Sequence, residues 1–313
     1  MAVAAGLCLP PTAVAQTGEF DLQAHRGGRG ETTEESLRAF TKAIELGVTT
    51  LELDIVISKD GRPMVWHDPV IQADKCGDTA AAFPGDPQFP YVGKLVHDLS
   101  FAQLRTLDCG KLLAAYPDAE VVPNNTIATL DEVFSLADSL HSGVRYNIET
   151  KIEAEEPQKS APPEHFVDAI LAVVRTAGKT DKVEIQSFDW RTLPMVRAAE
   201  PAIPLVALWD ETTFVPGSPW LNGIDPAVVP DPIVAATRVG ANILSPAYAL
   251  VDAAFVERAH AAGLRVIPWT VNDADAMRAQ IDAGVDGIIT DYPTRLRGVM
   301  SELGMPLPAP GNR

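Results

Sequence analysis

Three acidic residues lie in strand-like segments with a spacing that suits metal binding. Glu52 and Asp54 are two positions apart in an apolar run, so in a strand both side chains point to one face, with Cα atoms roughly 7 Å apart. Glu149 ends a second run of this kind. Buried carboxylates that face one another repel unless a cation lies between them. A solvated edge strand is the alternative, but the apolar flanks favour a metal site, and an all-carboxylate set favours Mg²⁺ or Ca²⁺.

Two of the six histidines end strand-like runs. His25 closes the first such run, and His67 follows the short run Pro63–Trp66 after a turn. A lone histidine is more often a structural hydrogen-bonding residue. Two histidines at strand ends that face the same end of one predicted sheet instead indicate an acid/base pair. The other histidines fall on predicted helices or loops and are interpreted as structural: His97, His141, His165 and His260.

Three further polar or aromatic residues lie at or directly after the ends of predicted strands. Lys151 comes two positions after Glu149 and shares its face. Trp269 suits a core position and the wall of a substrate cleft equally well. Asp291 follows the last predicted strand, where it fits a site residue and a cap of the helix starting at Pro293 equally well.

Short runs rich in valine, isoleucine and leucine alternate with segments of helical periodicity from residue 20 onward. The predicted strands are Asp21–His25, Thr50–Ile57, Val144–Glu149, Lys182–Ser187, Ile203–Leu208, Ala241–Leu244, Arg265–Thr270 and Gly287–Thr290. The predicted helices include Thr33–Leu46, with a capping box at Thr32 and Glu35, and Glu164–Ala177, Trp190–Ala199, Asp252–Ala262, Ala274–Ala283 and Pro293–Leu303. Eight strands that each lead into a helical stretch predict a closed α/β barrel, the (β/α)₈ or TIM barrel. A doubly wound sheet of six or seven strands is the alternative.

The barrel is predicted to span residues 16–304, with a long insertion at about 70–125 after the second strand. The insertion is rich in Pro, Gly and Asp and contains one helix signal near Leu99–Leu107. Loops of this length in compact domains are usually functional or form a subdomain. This one begins near the carboxyl end of a strand, where barrel active sites are built. The composition of residues 305–313 predicts a disordered tail.

Residues 1–15 are small and apolar and end in an Ala-Val-Ala triplet, which fits the cleavage rule of a secretory signal, although basic residues before it are missing. The segment, which includes Cys8, is interpreted as the remnant of a signal peptide or as a flexible leader.

Cys76 and Cys109 do not have metal-binding or redox spacing. In a periplasmic or secreted protein a disulfide between them is expected, and two buried free thiols in a cytosolic protein are the alternative.

The 313 residues include 25 Lys plus Arg against 42 Asp plus Glu, a formal net charge of −17. A chain this acidic without a basic cluster is not expected to bind nucleic acid, because affinity for polyanions comes mostly from Lys and Arg. The sequence contains no apolar run of about 18 residues, so no membrane span is expected. Nothing in it implies a protein partner.

Together the motifs resemble the glycerophosphodiester phosphodiesterase family, which has a metal-dependent (β/α)₈ barrel. They stand in the family's order along the chain: Ala24–Gly27 (AHRG), Leu51–Ile55 (LELDI), Lys59–Pro69 (KDGRPMVWHDP), Asn147–Lys151 (NIETK), and then QSF and WTVND. Where the family usually has Pro-Glu-Asn-Thr, this chain has Thr-Glu-Glu-Ser, so Glu34 takes the family's glutamate position and Glu35 is explained as a capping residue. The long insertion resembles that of exported bacterial members.

The resemblance implies a role for each candidate residue. It implies two catalytic histidines, His25 and His67. It implies that one divalent cation, Ca²⁺ or Mg²⁺, is bound by Glu52, Asp54 and Glu149. It also implies that phosphate or substrate contacts Arg26, Lys151 and Trp269.

The implied reaction is hydrolysis of a glycerophosphodiester to glycerol 3-phosphate and an alcohol such as choline or ethanolamine. The substrate's own glycerol hydroxyl attacks the phosphorus, and water opens the resulting cyclic phosphate. His25 is expected to act as base and His67 as acid. One alternative is a lysophospholipase D or sphingomyelinase-like phosphodiesterase with an apolar groove near Phe83, Phe89 and Tyr91. The other is a non-catalytic exported protein that binds phosphorylated alcohols.

Overall fold

The computed structural model describes residues 18–311, so the predicted leader and Cys8 lie outside the described residues. Within that range the strands are β1 (Asp21–Ala24), β2 (Thr50–Ile57), β3 (Pro63–Val65), β4 (Arg145–Thr150), β5 (Val183–Ser187), β6 (Leu205–Trp209), β7 (Ile243–Pro246), β8 (Arg265–Val266) and β9 (Gly287–Thr290). The helices are α1 (Leu37–Leu46), α2 (Phe101–Leu104), α3 (Leu130–Ser139), α4 (Pro163–Thr176), α5 (Thr192–Ala199), α6 (Pro232–Arg238), α7 (Ala253–Ala261), α8 (Ala274–Asp282) and α9 (Pro293–Glu302). None of the helices in residues 18–311 combines the length and apolar character needed to span a membrane.

Eight parallel strands form the sheet in the order β8-β7-β6-β5-β4-β2-β1-β9, and β3 pairs antiparallel with β2. Backbone hydrogen bonds join the two ends of this order: the Asp286 N–H donates to the Val266 carbonyl at 2.8 Å, and the Ile289 N–H donates to the Pro268 carbonyl at 3.0 Å. The sheet therefore closes into the predicted (β/α)₈ barrel, and the alternative of an open doubly wound sheet is wrong. The last β8 residues predicted as strand do not form a regular ladder, because Pro268 has no N–H to donate.

The barrel strands alternate between two environments, as their sequence periodicity predicts. Leu51, Leu53 and Ile55 of β2 are fully buried in the main apolar core, which includes residues of the surrounding helices. Glu52 and Asp54 alternate with them and, at 1% exposure each, are also buried. Because successive side chains of a strand point to opposite faces, both carboxylates are directed into the barrel.

Helix α1 starts later than its sequence pattern predicts, and the predicted capping box at Thr32 and Glu35 is wrong. The N-cap is Ser36, whose hydroxyl accepts a hydrogen bond from the Ala39 N–H at 3.0 Å. Glu35 has a φ of 54°, and its carboxylate instead accepts the N–H of Asp54 at 2.9 Å. The residue interpreted as a cap is therefore a buried contact between the β1–α1 loop and β2.

The insertion at about 70–125, between β3 and α3, contributes to a small second hydrophobic core that it shares with Val56 of β2 and Met64 of β3. It includes Ile71, Tyr91, Leu104 and the disulfide formed by Cys76 and Cys109, which confirms the expected pairing. Of the three aromatic residues named for the lysophospholipase alternative, Tyr91 is fully buried, whereas Phe83 and Phe89 are exposed at 50% and 38%. The insertion is fixed to the barrel by backbone hydrogen bonds, including one from the Thr33 N–H to the Glu120 carbonyl at 2.8 Å.

The carboxyl-terminal segment contacts α1 as far as the structure describes it. The Gly311 N–H donates to the Ile44 carbonyl at 3.0 Å, and Arg297 Nη1 donates to the Pro308 carbonyl at 2.8 Å. Residues 306–311, which belong to the segment 305–313 predicted as a disordered tail, therefore lie against the outside of the barrel.

Candidate active site

The predicted site residues converge at the carboxyl ends of the barrel strands around a cavity of about 120 Å³. Those that line it are His25, Arg26, Glu52, His67, Glu149, Lys151 and Trp269. Asp54 lies beneath the cavity, where its side chain is buried beside Arg26 and Lys151. The structure thus brings together all the residues that the sequence motifs selected.

Glu52, Asp54 and Glu149 form a compact carboxylate triad. One oxygen from each lies within 4.8 Å of one oxygen from each of the others, and all three residues are buried. The triad arises from register, because Asp54 of β2 pairs directly with Glu149 of β4. Glu52 is further held by the Arg26 N–H at 2.9 Å and by Gln186 Nε2 at 2.7 Å.

The charges of the triad are only partly balanced by the protein. Burial, together with the charges of Asp54 and Glu149, raises the pKa of Glu52 well above its usual range. Burial also raises the pKa of Glu149 to about 7, although Lys151 opposes the shift. Burial opposes ionisation of Asp54 as well, but the positive charges of Lys151 and Arg26 outweigh it and lower the pKa of Asp54. Without a cation, then, the three carboxylates do not all ionise easily at neutral pH.

A left-handed turn after β1 places Arg26 over the triad. Arg26 has a φ of 51°, and the following Gly27 has a φ of 77° and packs so closely on α1 that an added Cβ would lie 2.8 Å from the Ala39 Cβ. Glycine is required at that position for both reasons. The turn brings Arg26 Nε to 3.0 Å from Asp54 Oδ2 and Nη1 to 3.3 Å from Glu34 Oε2.

The two histidines reach the mouth from different elements. His25 follows β1, and its Nδ1 lies 2.5 Å from Asp291 Oδ1, while its Nε2 is 3.9 Å from Glu52 Oε2. His67 is brought over the mouth by the β2–β3 hairpin, and its Nδ1 lies 3.0 Å from Asp68 Oδ1.

The histidine environments favour neutral rings. Burial lowers the pKa of His25, and the nearby Asp291 opposes this shift without cancelling it. Burial and the positive charges of Lys151 and Arg26 lower the pKa of His67 well below its usual value. Both rings are therefore largely unprotonated near neutral pH in the ligand-free protein.

Asp291 belongs to the candidate site and is not a helix cap. Its carboxylate contacts His25 and also accepts hydrogen bonds from Arg29, Asn272 and Tyr116. Helix α9 has its N-cap at Tyr292, so Asp291 does not cap it. Its position directly after β9 is the sequence signal that allowed a site role as well as a cap.

Trp269 lines the cavity and therefore forms part of its wall. Its ring packs edge-on with Phe188 at a centroid distance of 5.3 Å, and its Nε1 donates to the Ser245 carbonyl at 2.9 Å. Lys151 Nζ lies 5.8 Å from the Phe188 ring centroid. The cavity wall thus combines the aromatic rings of Phe188 and Trp269 with the charged residues around the triad.

The closed parallel barrel, with carboxylates, histidines and basic groups at its carboxyl-terminal mouth, defines a (β/α)₈-barrel enzyme. The chain belongs to the glycerophosphoryl diester phosphodiesterase family, whose model matches residues 25–295. It is accordingly a hydrolase of phosphodiesters, with glycerophosphodiesters as its substrate class.

Individual relatives agree with this assignment. A glycerophosphodiester phosphodiesterase of Caldanaerobacter subterraneus is 26% identical over 281 residues, covering 90% of this chain and 98% of the relative. A solved structure from Silicibacter pomeroyi has a TM-score of 0.79 at 27% identity and covers 93% of this chain and 96% of that one. An Oleispira antarctica phosphodiesterase, solved with the product sn-glycerol-3-phosphate, shares the fold with a TM-score of 0.68 at 21% identity, covering 89% and 96%.

Proposed function

We propose that this enzyme hydrolyses glycerophosphodiesters to glycerol 3-phosphate and an alcohol by two-histidine acid/base catalysis beside one divalent cation. The observation that supports this most strongly is that His25 and His67 line the same cavity as Glu52 and Glu149 of the triad. The product bound to the Oleispira antarctica relative, sn-glycerol-3-phosphate, is the product we expect here.

The carboxylate triad fits a hard divalent cation. Both carboxylate oxygens of Asp54 are buried and accept no hydrogen bond from the described residues, although Arg26 Nε and Lys151 Nζ lie within ion-pair distance. Three buried carboxylates offer oxygen ligands only, which suits Ca²⁺ or Mg²⁺. When bound there, the cation would neutralise phosphate charge and lower the pKa of an oxygen in contact with it.

Arg26 and Lys151 are proposed to bind the phosphate oxygens. Arg26 is 6% exposed, and the surrounding carboxylates, led by Asp54, raise its pKa despite its burial, so it stays charged. Lys151 is held 2.6 Å from Glu149 Oε1 at the cavity wall. Positive groups fixed in place before the reaction stabilise the charge that develops on a phosphoryl group.

His25 and His67 are proposed to move the protons. With Nδ1 of each ring held by a carboxylate, the ring's Nε2 remains for the substrate. One ring, unprotonated, takes the proton of the glycerol hydroxyl as its oxygen bonds to phosphorus. The other ring takes up a proton when the negatively charged phosphate binds beside it, and it gives that proton to the alkoxide that leaves. The same pair then activates water to open the cyclic phosphate, which restores both rings.

The first experiment is hydrolysis of glycerophosphocholine with product analysis. We expect glycerol 3-phosphate and choline in equal amounts, loss of turnover in EDTA, and recovery with added Ca²⁺ or Mg²⁺. Lysophosphatidylcholine and sphingomyelin run in parallel would reveal the alternative phosphodiesterase activities. Binding of glycerophosphocholine without turnover, in protein supplied with either cation, would refute the proposal.

A second experiment assigns the two histidines. His25→Ala and His67→Ala should each lower kcat on glycerophosphocholine by roughly 10² to 10⁴. On a p-nitrophenyl ester of glycerol phosphate the leaving group needs no proton, so only the variant that lacks the acid should recover. If His67 is the acid, as expected from the sequence, His67→Ala recovers and His25→Ala does not. Full activity of either variant on glycerophosphocholine would exclude that histidine from the mechanism.

We also propose that the protein is exported to the periplasm or secreted. The disulfide between Cys76 and Cys109 supports this, because such bonds persist in oxidising compartments. Protein isolated from its native cells under alkylating conditions should yield no free thiol from these two cysteines. Two alkylated cysteines, together with recovery in the cytosolic fraction, would contradict export.

A further inference from the structure

The insertion between β3 and α3 reaches the candidate active site at two points. Lys75 precedes Cys76 in the chain, and Tyr116 follows Cys109, so the disulfide joins the two segments that carry these side chains. Both residues are bound to carboxylates that contact a histidine of the mouth. Neither residue was selected from the sequence.

On one side, Tyr116 completes the hydrogen bonding of Asp291. Asp291 Oδ1 contacts His25 Nδ1 at 2.5 Å and accepts from Arg29 Nε at 2.9 Å. Its Oδ2 accepts from the Tyr116 hydroxyl at 2.9 Å and from Asn272 Nδ2 at 2.7 Å. The carboxylate therefore has two partners on each oxygen, and the one from the insertion lies on the oxygen that His25 does not use.

On the other side, Lys75 holds Asp68. Asp68 Oδ1 lies 3.0 Å from His67 Nδ1, and Lys75 Nζ lies 2.6 Å from Oδ2. Lys75 also bonds Glu34 Oε1 at 2.5 Å, and Glu34 in turn pairs with Arg26. The Lys75 side chain is 12% exposed, so these contacts are largely shielded from water.

The arrangement is the same for both histidines. Each Nδ1 faces one carboxylate oxygen, and a donor from the insertion fixes the other oxygen of that carboxylate. A carboxylate held at both oxygens cannot rotate freely, so the imidazole that it contacts keeps one tautomer and one orientation. Lys75 and Tyr116 donate hydrogen bonds to the carboxylates rather than to the histidines themselves.

We propose that the disulfide-linked insertion is a positioning device for both histidines, in which Tyr116 acts through Asp291 on His25 and Lys75 acts through Asp68 on His67. This inference rests on the proposed function, because it assigns Tyr116 and Lys75 as positioning residues for the two histidines of that reaction. It gives the insertion a role inside the catalytic site in addition to any role in admitting substrate.

The test uses Tyr116→Phe and Lys75→Gln in the full-length, cation-loaded enzyme with glycerophosphocholine. Each variant should lower kcat about 10-fold to 100-fold, the range found when orienting partners are removed, with KM changed less than about twofold. Lys75→Arg, which can still donate to Asp68, should recover most of the lost kcat. Mere loosening of the insertion would give no such rescue by arginine.

Matched controls come from the same insertion. Tyr91→Phe removes a buried tyrosine hydroxyl that bonds Asp86, and Lys94→Gln removes a lysine that bonds the Gln88 carbonyl. Both should lower the thermal midpoint at least as much as the test variants while leaving kcat within about twofold of wild type. If they lower kcat as much as Tyr116→Phe and Lys75→Gln do, the effect is stability and the inference is wrong.

The disulfide gives a second approach to the same question. A Cys76→Ser/Cys109→Ser double variant that remains folded by circular dichroism should lose kcat in the same way as the single positioning variants. Wild-type turnover combined with undiminished kcat in Tyr116→Phe, Lys75→Gln and the double variant would overturn this inference alone. Absence of wild-type turnover would instead refute the proposed function, and this inference with it.

Discussion

Lys151 lies between the phosphate-binding and cation-binding parts of the site. Its Nζ is 2.6 Å from Glu149 Oε1 and 3.9 Å from Asp54 Oδ1. Burial disfavours the charged lysine, but Glu149 and Asp54 outweigh burial and raise the pKa of Lys151 above its usual value. The lysine therefore stays positive and competes with a bound cation for the same carboxylates.

Because Lys151 and the cation compete, substitutions of Lys151 and of Glu149 should affect cation binding and turnover differently. Lys151→Met should bind Ca²⁺ at least as tightly as wild type in titration calorimetry, because a competing charge is removed, while kcat falls about 10²-fold through loss of a phosphate contact. Glu149→Gln should instead weaken Ca²⁺ binding. Equal weakening of Ca²⁺ binding in both variants would contradict the division of roles between lysine and carboxylate.

At the residue scale, the sequence predicted the side chains whose positions follow from strand ends. Asp54 and Glu149 are of this kind, because the register of β2 and β4 pairs them directly, and His25 directly follows β1. Tyr116 could not be found in this way, since its contact with Asp291 joins residues 175 positions apart through an irregular segment. Irregular backbone has no side-chain period that could show where such a residue points.

At the element scale, the start of α1 shows how a contact outside the helix displaces a predicted cap. Thr32 and Glu35 have the types and spacing of a capping box, but Glu35 is drawn to the Asp54 N–H of β2. The chain compensates one residue later, where Ser36 accepts the Ala39 N–H and also donates to the Thr33 carbonyl at 2.7 Å. The helix itself was predicted correctly, and only its beginning depended on the tertiary contact.

Ser36→Ala should therefore destabilise the barrel by about 1 kcal/mol, the usual effect of losing an N-cap. We expect a fall of roughly 2 to 4 °C in the thermal midpoint measured by calorimetry. Thr41→Ala on the same helix, whose hydroxyl donates back to the Leu37 carbonyl, should change the midpoint much less. A larger loss from Thr41→Ala than from Ser36→Ala would show that Ser36 is not the effective cap.

At the scale of the whole molecule, the barrel closes over a buried polar network at the end opposite the mouth. Gln23 Nε2 donates to Asp21 Oδ2 at 3.1 Å and to Glu184 Oε1 at 3.0 Å. Burial and the charge of Asp21 raise the pKa of Glu184 to about 7. Burial also disfavours ionised Asp21, but Arg145 and the hydroxyls of Thr49 and Thr50 outweigh it and lower its pKa.

The network predicts a pH-dependent stability. Because the folded pKa of Glu184 lies above its ordinary value of 4.5, protonated Glu184 favours folding at low pH, and this contribution is lost as the pH rises towards 7. Glu184→Gln keeps an oxygen acceptor for Gln23 but cannot ionise. Its thermal midpoint should exceed that of wild type by roughly 2 to 6 °C at pH 8, and the difference should shrink by pH 5. A constant difference across this range would exclude Glu184 as the titrating group.

The net charge of −17 sets the field that a substrate crosses before it reaches the basic groups of the mouth. Raising the salt concentration from about 20 to 200 mM shortens the Debye length from about 20 Å to about 7 Å, which screens this repulsion. For an anionic substrate such as glycerophosphoglycerol, kcat/KM should rise about twofold, whereas zwitterionic glycerophosphocholine should show almost no change. The measurement is made at saturating Ca²⁺ with an inert monovalent salt, so that the triad stays occupied at both salt concentrations. A fall in kcat/KM for the anionic substrate would mean that Arg26, Arg29, Lys75 and Lys151 dominate the encounter, and that the overall charge acts on solubility alone.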